Sequence, residues 1–471
     1  MDQIEFAFEN KEILHKNASI EVSRVKIRGQ ENSVIVKRII SPSPEAYEYY
    51  RLKNEFKILS KFPLSKSVKV IRLVNERTLV LEDTGGISLK TYLVNTNLTI
   101  VEFLDLAIRM ADALDEVHKK NIIHKDIKPS NIIIHPITKE IRFTDFGIAT
   151  LFAKEYIPSL GKLEGSIEYV SPEQTGRTGT ALDYRTDLYS LGITFYEILT
   201  GELPFKNKDQ NQILHSHIAQ QPKPLSEIYP SIPNSISDIV SKLISKSPEA
   251  RYQSAEGLKL DLLELASAIG EGRIPSGVEG SGIEGKFFAG KNDFSEKFSI
   301  PQKLYGRDRE IQSLKNSFLN LFSKEHRTAT LQLINGYSGI GKTSLVQELN
   351  QPVVEKNGIF ISGKFEQYQK NVPFFAVVQA FRELTRQLLA KDKTELLNWK
   401  NELKEALGNI GQVILDVVPE VELFLGKQPP IPDVPPDQAF NRFKYAFSQF
   451  VRVFAKEKHP LVLFLDQRLS F

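Results

Sequence analysis

Along residues 20–40 the chain reads IEVSRVKIRGQENSVIVKRII, with Val and Ile interleaved among charged residues, a pattern that predicts antiparallel strands. Between 44 and 61 the apolar positions of PEAYEYYRLKNEFKILSK fall at helical spacing, so a helix is expected there. Another pair of strands is expected around 68–82. From residue 99 the pattern becomes mostly helical, in TIVEFLDLAIRMADALDEVHKK, TDLYSLGITFYEILTG, SISDIVSKLIS and GLKLDLLELASAI. The order is therefore a small β-rich lobe followed by a larger α-rich lobe. Residues 270–290 interrupt it: GEGRIPSGVEGSGIEGKFFAG holds seven of the chain's 27 glycines, has little apolar period, and reads as a flexible linker. Past the linker the pattern predicts a helix in DREIQSLKNSFLNLFSK, then a strand, loop and helix across TATLQLINGYSGIGKTSLVQEL. A buried strand, HPLVLFLD, is expected at 459–466.

Composition adds bounds. With 41% hydrophobic and 25% charged residues among 471, the chain is that of a globular protein with real cores, neither disordered nor fibrous. Lys and Arg total 61 against 58 Asp and Glu, a net charge of +3 that is too even to argue for a nucleic-acid or membrane-surface partner. There is no cysteine, which excludes disulfide frameworks and thiolate metal sites and fits a reducing cytoplasm. The amino terminus lacks the pattern of a signal peptide, and no stretch reaches the ~18 apolar residues of a membrane span.

The sharpest chemical signals in the front half are HKDIKPSN at 124–131 and TDFG at 144–147. They meet the needs of phosphoryl transfer from ATP, which consists mostly of positioning and charge neutralisation. Asp126 would accept the proton of an attacking hydroxyl, and Lys128 would neutralise the transferred group. Asn131 and Asp145 offer the hard oxygen ligands that suit Mg²⁺. Lys37, in the strand SVIVK, can reach the α/β-phosphates, with Glu55 on the following helix to hold it.

These residues resemble the eukaryotic-type (Hanks-type) serine/threonine protein kinase family, whose signature is a strand lysine, H-R-D-x-K-x-x-N, D-F-G and A-P-E in order. Here the elements read Lys37, His124-Lys125-Asp126, Asp145-Phe146-Gly147 and Ser171-Pro172-Glu173. The resemblance implies a two-lobed α+β kinase fold, a hinge at 79–89 where Glu82 to Thr84 would meet adenine, and a buried aspartate at Asp187. It also implies an ion pair between Arg251 and Glu173, and packing roles for His118 and His124. Lys128 implies serine or threonine acceptors. Ser166 matches a hydroxyl that contacts the catalytic loop, and Ser159 is the candidate regulatory site. Three departures stand out. No G-x-G-x-x-G loop precedes Lys37, where the region 15–29 holds one glycine, Gly29; Ile35 stands where a small alanine is usual; and Lys125 replaces an arginine.

GYSGIGKT at 336–343 fits G-x-x-x-x-G-K-[ST] and sits between an apolar strand and a helix. Gly336, Gly339 and Gly341 would let backbone N–H groups wrap phosphates, Lys342 would reach the β/γ oxygens, and Thr343 would ligate magnesium. Asp466, ending HPLVLFLD, suits the Walker B role, although Gln467 follows where a second acid is usual. With FSIPQKLYGRDREIQSL ahead of it, this half resembles the AAA-like ATPase of large bacterial signalling proteins, in which a kinase is joined to an ATPase and often to sensory and histidine-kinase domains.

The expectation is thus a kinase domain over 1–265 (small lobe to about 84), a glycine-rich linker over 266–300, and an incomplete α/β P-loop ATPase domain over 301–471 that stops after Walker B. The expected activity is ATP- and Mg²⁺-dependent transfer to Ser/Thr of a protein, its own chain included, in cytoplasmic signalling with histidine-kinase partners. The alternatives are a pseudokinase scaffold, or an ATP-binding switch regulated by the kinase-like domain.

Overall fold

The computed structural model describes residues 8–27, 32–152, 164–178, 180–271, 287–291, 293, 306–322, 329–337, 340–356, 358–365, 374–389, 393–432 and 434–467. Gly29 and Ser159 lie outside them, as does Gly339.

The front of the chain opens as a five-stranded antiparallel sheet in the order β1-β2-β3-β5-β4. Its strands are β1 (Phe8–Lys16), β2 (Ile20–Ile27), β3 (Ser33–Ile39), β4 (Val70–Val74) and β5 (Thr78–Glu82). On β3, Val34 and Val36 turn into a small core with Val25 and Val80. This alternation is what the two-residue period requires of a sheet with one packed face. Helix α1 (Ala46–Lys61) crosses the sheet and buries Leu52, Glu55, Ile58 and Leu59. It starts at a reciprocal cap in which the Glu48 carboxylate accepts from the Glu45 N–H at 3.0 Å, and its last residue, Lys61, stands two residues before Pro63.

The larger lobe is helical. Helix α2 (Leu89–Val94) leads to α3 (Ile100–Lys119), which is capped by Thr99 and Glu102 and packs its buried face on α8 (Ala255–Gly270). Helix α4 (Arg185–Thr200) has every residue from Arg185 to Tyr196 buried, which makes it the lobe's central helix. A Cβ at Gly192 would stand 2.6 Å from Cβ of Leu243 on α7 (Asn234–Leu243), so only glycine allows this close packing. Helices α5 (Gln210–Ala219) and α6 (Leu225–Ile228) complete the outer layer.

Short strands carry the loops between the lobes. β6 (Ile87–Ser88), β8 (Ile132–Ile134) and β9 (Ile141–Phe143) form one ladder, and β7 (Ile122–Ile123) pairs with β10 (Thr150–Leu151). Residues 124–131 therefore hang between β7 and β8, and Asp145 follows β9. Residues 287–291 and Asp293 return to the large lobe: the Asp293 carboxylate accepts from the Gln253 N–H at 2.5 Å and the Ser254 hydroxyl at 2.9 Å.

The rear part contains α9 (Asp308–Leu319), α10 (Lys342–Gln347), α11 (Asn350–Glu355), β11 (Ile359–Phe365), α12 (Phe375–Leu389), α13 (Lys393–Leu407), α14 (Gly411–Leu415), α15 (Glu422–Leu425), α16 (Pro436–Phe454) and β12 (Leu461–Gln467). β11 and β12 pair in parallel from Ile359–Leu461 to Phe365–Gln467. Phe381, Leu384, Leu403, Ile414, Phe450 and Phe454 form the core beneath them.

One expectation fails here. Residues 330–335, read as the strand before the P-loop, are irregular, with Leu331 and Leu333 83% and 85% exposed. A strand exists through its ladder, and among the described residues β11 and β12 pair only with each other, leaving this apolar run no partner.

The two parts touch. Asn350 Nδ2 donates to the Thr178 carbonyl at 3.1 Å, and His215 Nε2 on α5 lies 2.9 Å from the Val354 carbonyl on α11. No helix among the described residues is long and apolar enough to cross a membrane.

Candidate active site between the lobes

The buried ammonium of Lys37 on β3 donates to Glu55 Oε2 at 2.7 Å and Asp145 Oδ1 at 2.8 Å. Burial alone would lower its pKa, but the Asp145 and Glu55 carboxylates outweigh that and hold it above the ordinary lysine value. For Asp145 the balance is the mirror image. Burial would raise its carboxyl, and Lys37 and Arg51 together drive it well below the usual carboxylate range. A chain of alternating charge thus joins the small lobe to the turn after β9.

Asp126 is the centre of a second group. Its Oδ1 accepts the Ser166 N–H at 2.9 Å, and its Oδ2 accepts from Lys128 Nζ and Asn131 Nδ2, each at 2.9 Å. Lys128 also donates to the Ser166 hydroxyl. Asp187, buried on α4, accepts the N–H groups of His124 at 2.9 Å and Lys125 at 2.8 Å, with His118 Nε2 at 3.0 Å. Those bonds hold Lys125 at φ +67°, a left-handed backbone that a lysine rarely adopts unaided. Asp145 is likewise left-handed, at φ +64°. His118 and His124 are thus packed and hydrogen-bonded groups, His124 through the Thr144 carbonyl at 3.0 Å.

The segment after Asp145 is tied down at several points. Lys125 Nζ pairs with Glu164 at 2.5 Å, Gln174 Nε2 donates to the Lys125 carbonyl at 2.8 Å, and Arg251 pairs with Glu173. Ser171 is buried with its hydroxyl 2.9 Å from that of Thr186, so it offers no accessible acceptor. At the hinge, Glu82 ends β5 and Thr84 follows. Between them Asp83 is held by Arg24 at 2.8 Å and Ser33 at 2.5 Å, which ties the hinge to β2 and β3. Ile35 packs half-buried against the main core.

Three contributors escaped sequence reasoning: Arg51, Asp83 and Glu164. Each pairs across a long stretch of chain; Asp83 lies within the hinge at 79–89, but nothing in that segment discloses its side-chain partners Arg24 and Ser33. Only the helical offset of four between Arg51 and Glu55 places both on one face of α1.

In the rear part Gly341 takes φ +90° just before α10. Lys342 Nζ donates to the carbonyls of Gly336 at 2.7 Å and Tyr337 at 2.9 Å. The Thr343 hydroxyl donates to Asp466 Oδ2 at 3.2 Å, so the P-loop and the end of β12 converge.

Residues 8–263 match the protein kinase domain family, more than half of the chain. This chain belongs to the protein kinase family. Behind the kinase domain, residues 303–468 match the AAA ATPase domain family, so a two-lobed kinase is followed by a P-loop domain. The kinase chain is 31% identical to hybrid signal transduction histidine kinase G of Dictyostelium discoideum, over 84% of this chain and 14% of that protein. It is 26% identical to the peroxide stress-activated histidine kinase mak3 of Schizosaccharomyces pombe over 81% of this chain, 18% of the relative. Serine/threonine-protein kinase PrkC of Bacillus subtilis is 36% identical over 39% of this chain, 28% of the relative. The kinase chain thus spans 14% to 28% of the length of these relatives.

Proposed function

We propose that the front domain transfers the γ-phosphoryl group of ATP to serine or threonine hydroxyls of proteins, its own chain among them, within intracellular signalling. The observation that carries the reading is Asp126, whose carboxylate is held by Lys128, Asn131 and the Ser166 N–H beside the Lys37–Glu55–Asp145 chain. Fixed in this way, Asp126 accepts the acceptor's proton as its oxygen bonds to phosphorus. The bond from phosphorus to the bridging oxygen breaks and ADP carries away the charge. Lys128 offsets the charge on the transferred group, while Lys37 holds the α/β-phosphates. The backbone at Glu82 to Thr84 takes adenine.

The donor set fits Mg²⁺. Among the described residues no group of three or more His, Cys, Asp or Glu could cage a metal. Asp145 and Asn131 instead offer two oxygen donors, the number a magnesium ion uses when phosphates and water complete its shell. When bound, the ion neutralises phosphate charge.

The rear domain is read as a second ATP site, with Gly336, Gly339, Gly341, Lys342 and Thr343 around the phosphates and Thr343 with Asp466 toward magnesium. Histidine kinases are the partner class suggested by the relatives' names.

The complete set of Lys37, Asp126, Asn131 and Asp145 supports transfer over a scaffold role. Incubating the full chain with γ-labelled ATP and a model protein tests it. Label should appear on serine or threonine and vanish in Asp126→Asn; an inert wild type under magnesium and manganese overturns the reading.

A further inference from the structure

Arg51 lies one helical turn before Glu55 on α1, and its Nη2 reaches Asp145 Oδ2 at 3.2 Å and Oδ1 at 3.4 Å. The Asp145 carboxylate therefore sits between two cations, Lys37 on Oδ1 and Arg51 mainly on Oδ2. The arrangement is built into the fold. A Cβ at Gly147 would come 3.1 Å from Arg51 Nε and 3.2 Å from Arg51 Cβ, so the bare backbone of Gly147 makes room for the arginine stem. The same helix face holds the same turn through Asn54, whose Nδ2 donates to the carbonyls of Gly147 at 3.1 Å and Ala149 at 2.9 Å.

We propose that Arg51 is a positioning residue that acts as an internal counter-ion for Asp145, so that a divalent cation binds there by displacing the guanidinium from Oδ2. The proposal rests on the reading of Asp145 as a metal-holding residue. Two physical consequences follow. The carboxylate oxygen a metal needs is already engaged in a charge-assisted hydrogen bond, which must break before the metal binds. The displaced guanidinium remains close by, and its charge repels a bare cation but attracts a polyphosphate. Metal binding to the nucleotide-free chain is therefore disfavoured, and the metal is recruited together with nucleotide.

The test is a Mn²⁺ titration of the full chain, without nucleotide and with ADP, following the spin-resonance signal of free Mn²⁺. Subtracting the titration of Asp145→Asn isolates this site from the P-loop. Arg51→Met keeps the stem against Gly147 without its charge, and Arg51→Gln keeps a donor without charge. Both should bind nucleotide-free Mn²⁺ roughly tenfold more tightly than wild type. Arg51→Lys, which retains the charge, should stay near the wild-type affinity. Both gains should disappear when Asp145→Asn is added, and thermal unfolding of each variant reports that it folds. Wild-type Mn²⁺ affinity in folded Arg51→Met and Arg51→Gln overturns the proposal. Unchanged Mn²⁺–ADP binding in Asp145→Asn alone overturns the metal-site reading beneath it, a separate and recognisable result.

Discussion

The guanidinium of Arg251 closes on both carboxylate oxygens of Glu173, Nη1 at 2.6 Å and Nη2 at 2.8 Å, across 78 residues of chain and out of contact with water. Arg251 also donates to the carbonyls of Ser245, Arg185 and Lys246, so its remaining donors tie the loop before α8 to the start of α4. Buried pairs of this kind add little over apolar packing, but breaking one leaves a charge stranded. Arg251→Met should destabilise the kinase domain by ~3–5 kcal/mol in urea unfolding, whereas an exposed surface pair such as Lys206–Glu202 should show under ~1 kcal/mol on truncation. Glu173 has a folded pKa below its ordinary value: burial opposes this, and Arg251 overrides it. Its contribution is therefore present above the unfolded carboxylate pKa and fades as pH falls through the folded value. Arg251→Met should flatten that acid limb.

Asp187 should control rate more than nucleotide binding. It receives two consecutive backbone N–H groups, those of His124 and Lys125, immediately before Asp126. Asp187→Asn removes the charge and sets an amide against a donor, releasing Lys125 from its left-handed backbone. Losing part of two charge-assisted bonds predicts a fall in kcat of about 100-fold, with KM for ATP little changed. Steady-state kinetics on both parameters checks this, and a change confined to KM contradicts it.

These two relationships also show what the chain discloses before folding. Asp126, Asn131 and Asp145 are legible because the chemistry fixes residue types at short spacings. Arg251 and Glu173 are legible only through the family resemblance, since nothing local announces a bond across 78 residues. Arg51, Asp83 and Glu164 stay hidden because a charged residue on a helix or loop ordinarily reads as a solvated face. Residues 330–335 fail for the opposite reason: apolar alternation marks the ability to form a strand, and a neighbour decides whether one forms.

Lys246 gives a pH-dependent prediction with a definite sign. Burial, with the charge of Arg251 beside it, lowers its pKa to about 7. Its ammonium lies 4.6 Å from the Phe205 ring centre and 3.2 Å from the Ser216 carbonyl. The folded state thus binds fewer protons than the unfolded chain between about pH 7 and the ordinary lysine value of 10.5, and stability gains from this group as pH rises through that window. Lys246→Met removes the titration. Its Tm advantage over wild type should be largest near pH 7 and shrink toward pH 10, as followed by circular dichroism. A difference independent of pH contradicts this account.

In the proposed function the Asp126 site, and not the P-loop, performs phosphoryl transfer. The most direct measurement is the initial rate of label transfer from γ-labelled ATP to serine or threonine of a protein acceptor, for the 471-residue wild-type chain, Asp126→Asn and Lys342→Ala side by side. Transfer is expected from wild type and from Lys342→Ala, with a loss of at least ~100-fold in Asp126→Asn. Transfer by Asp126→Asn at the wild-type rate, or its disappearance in Lys342→Ala alone, would contradict it.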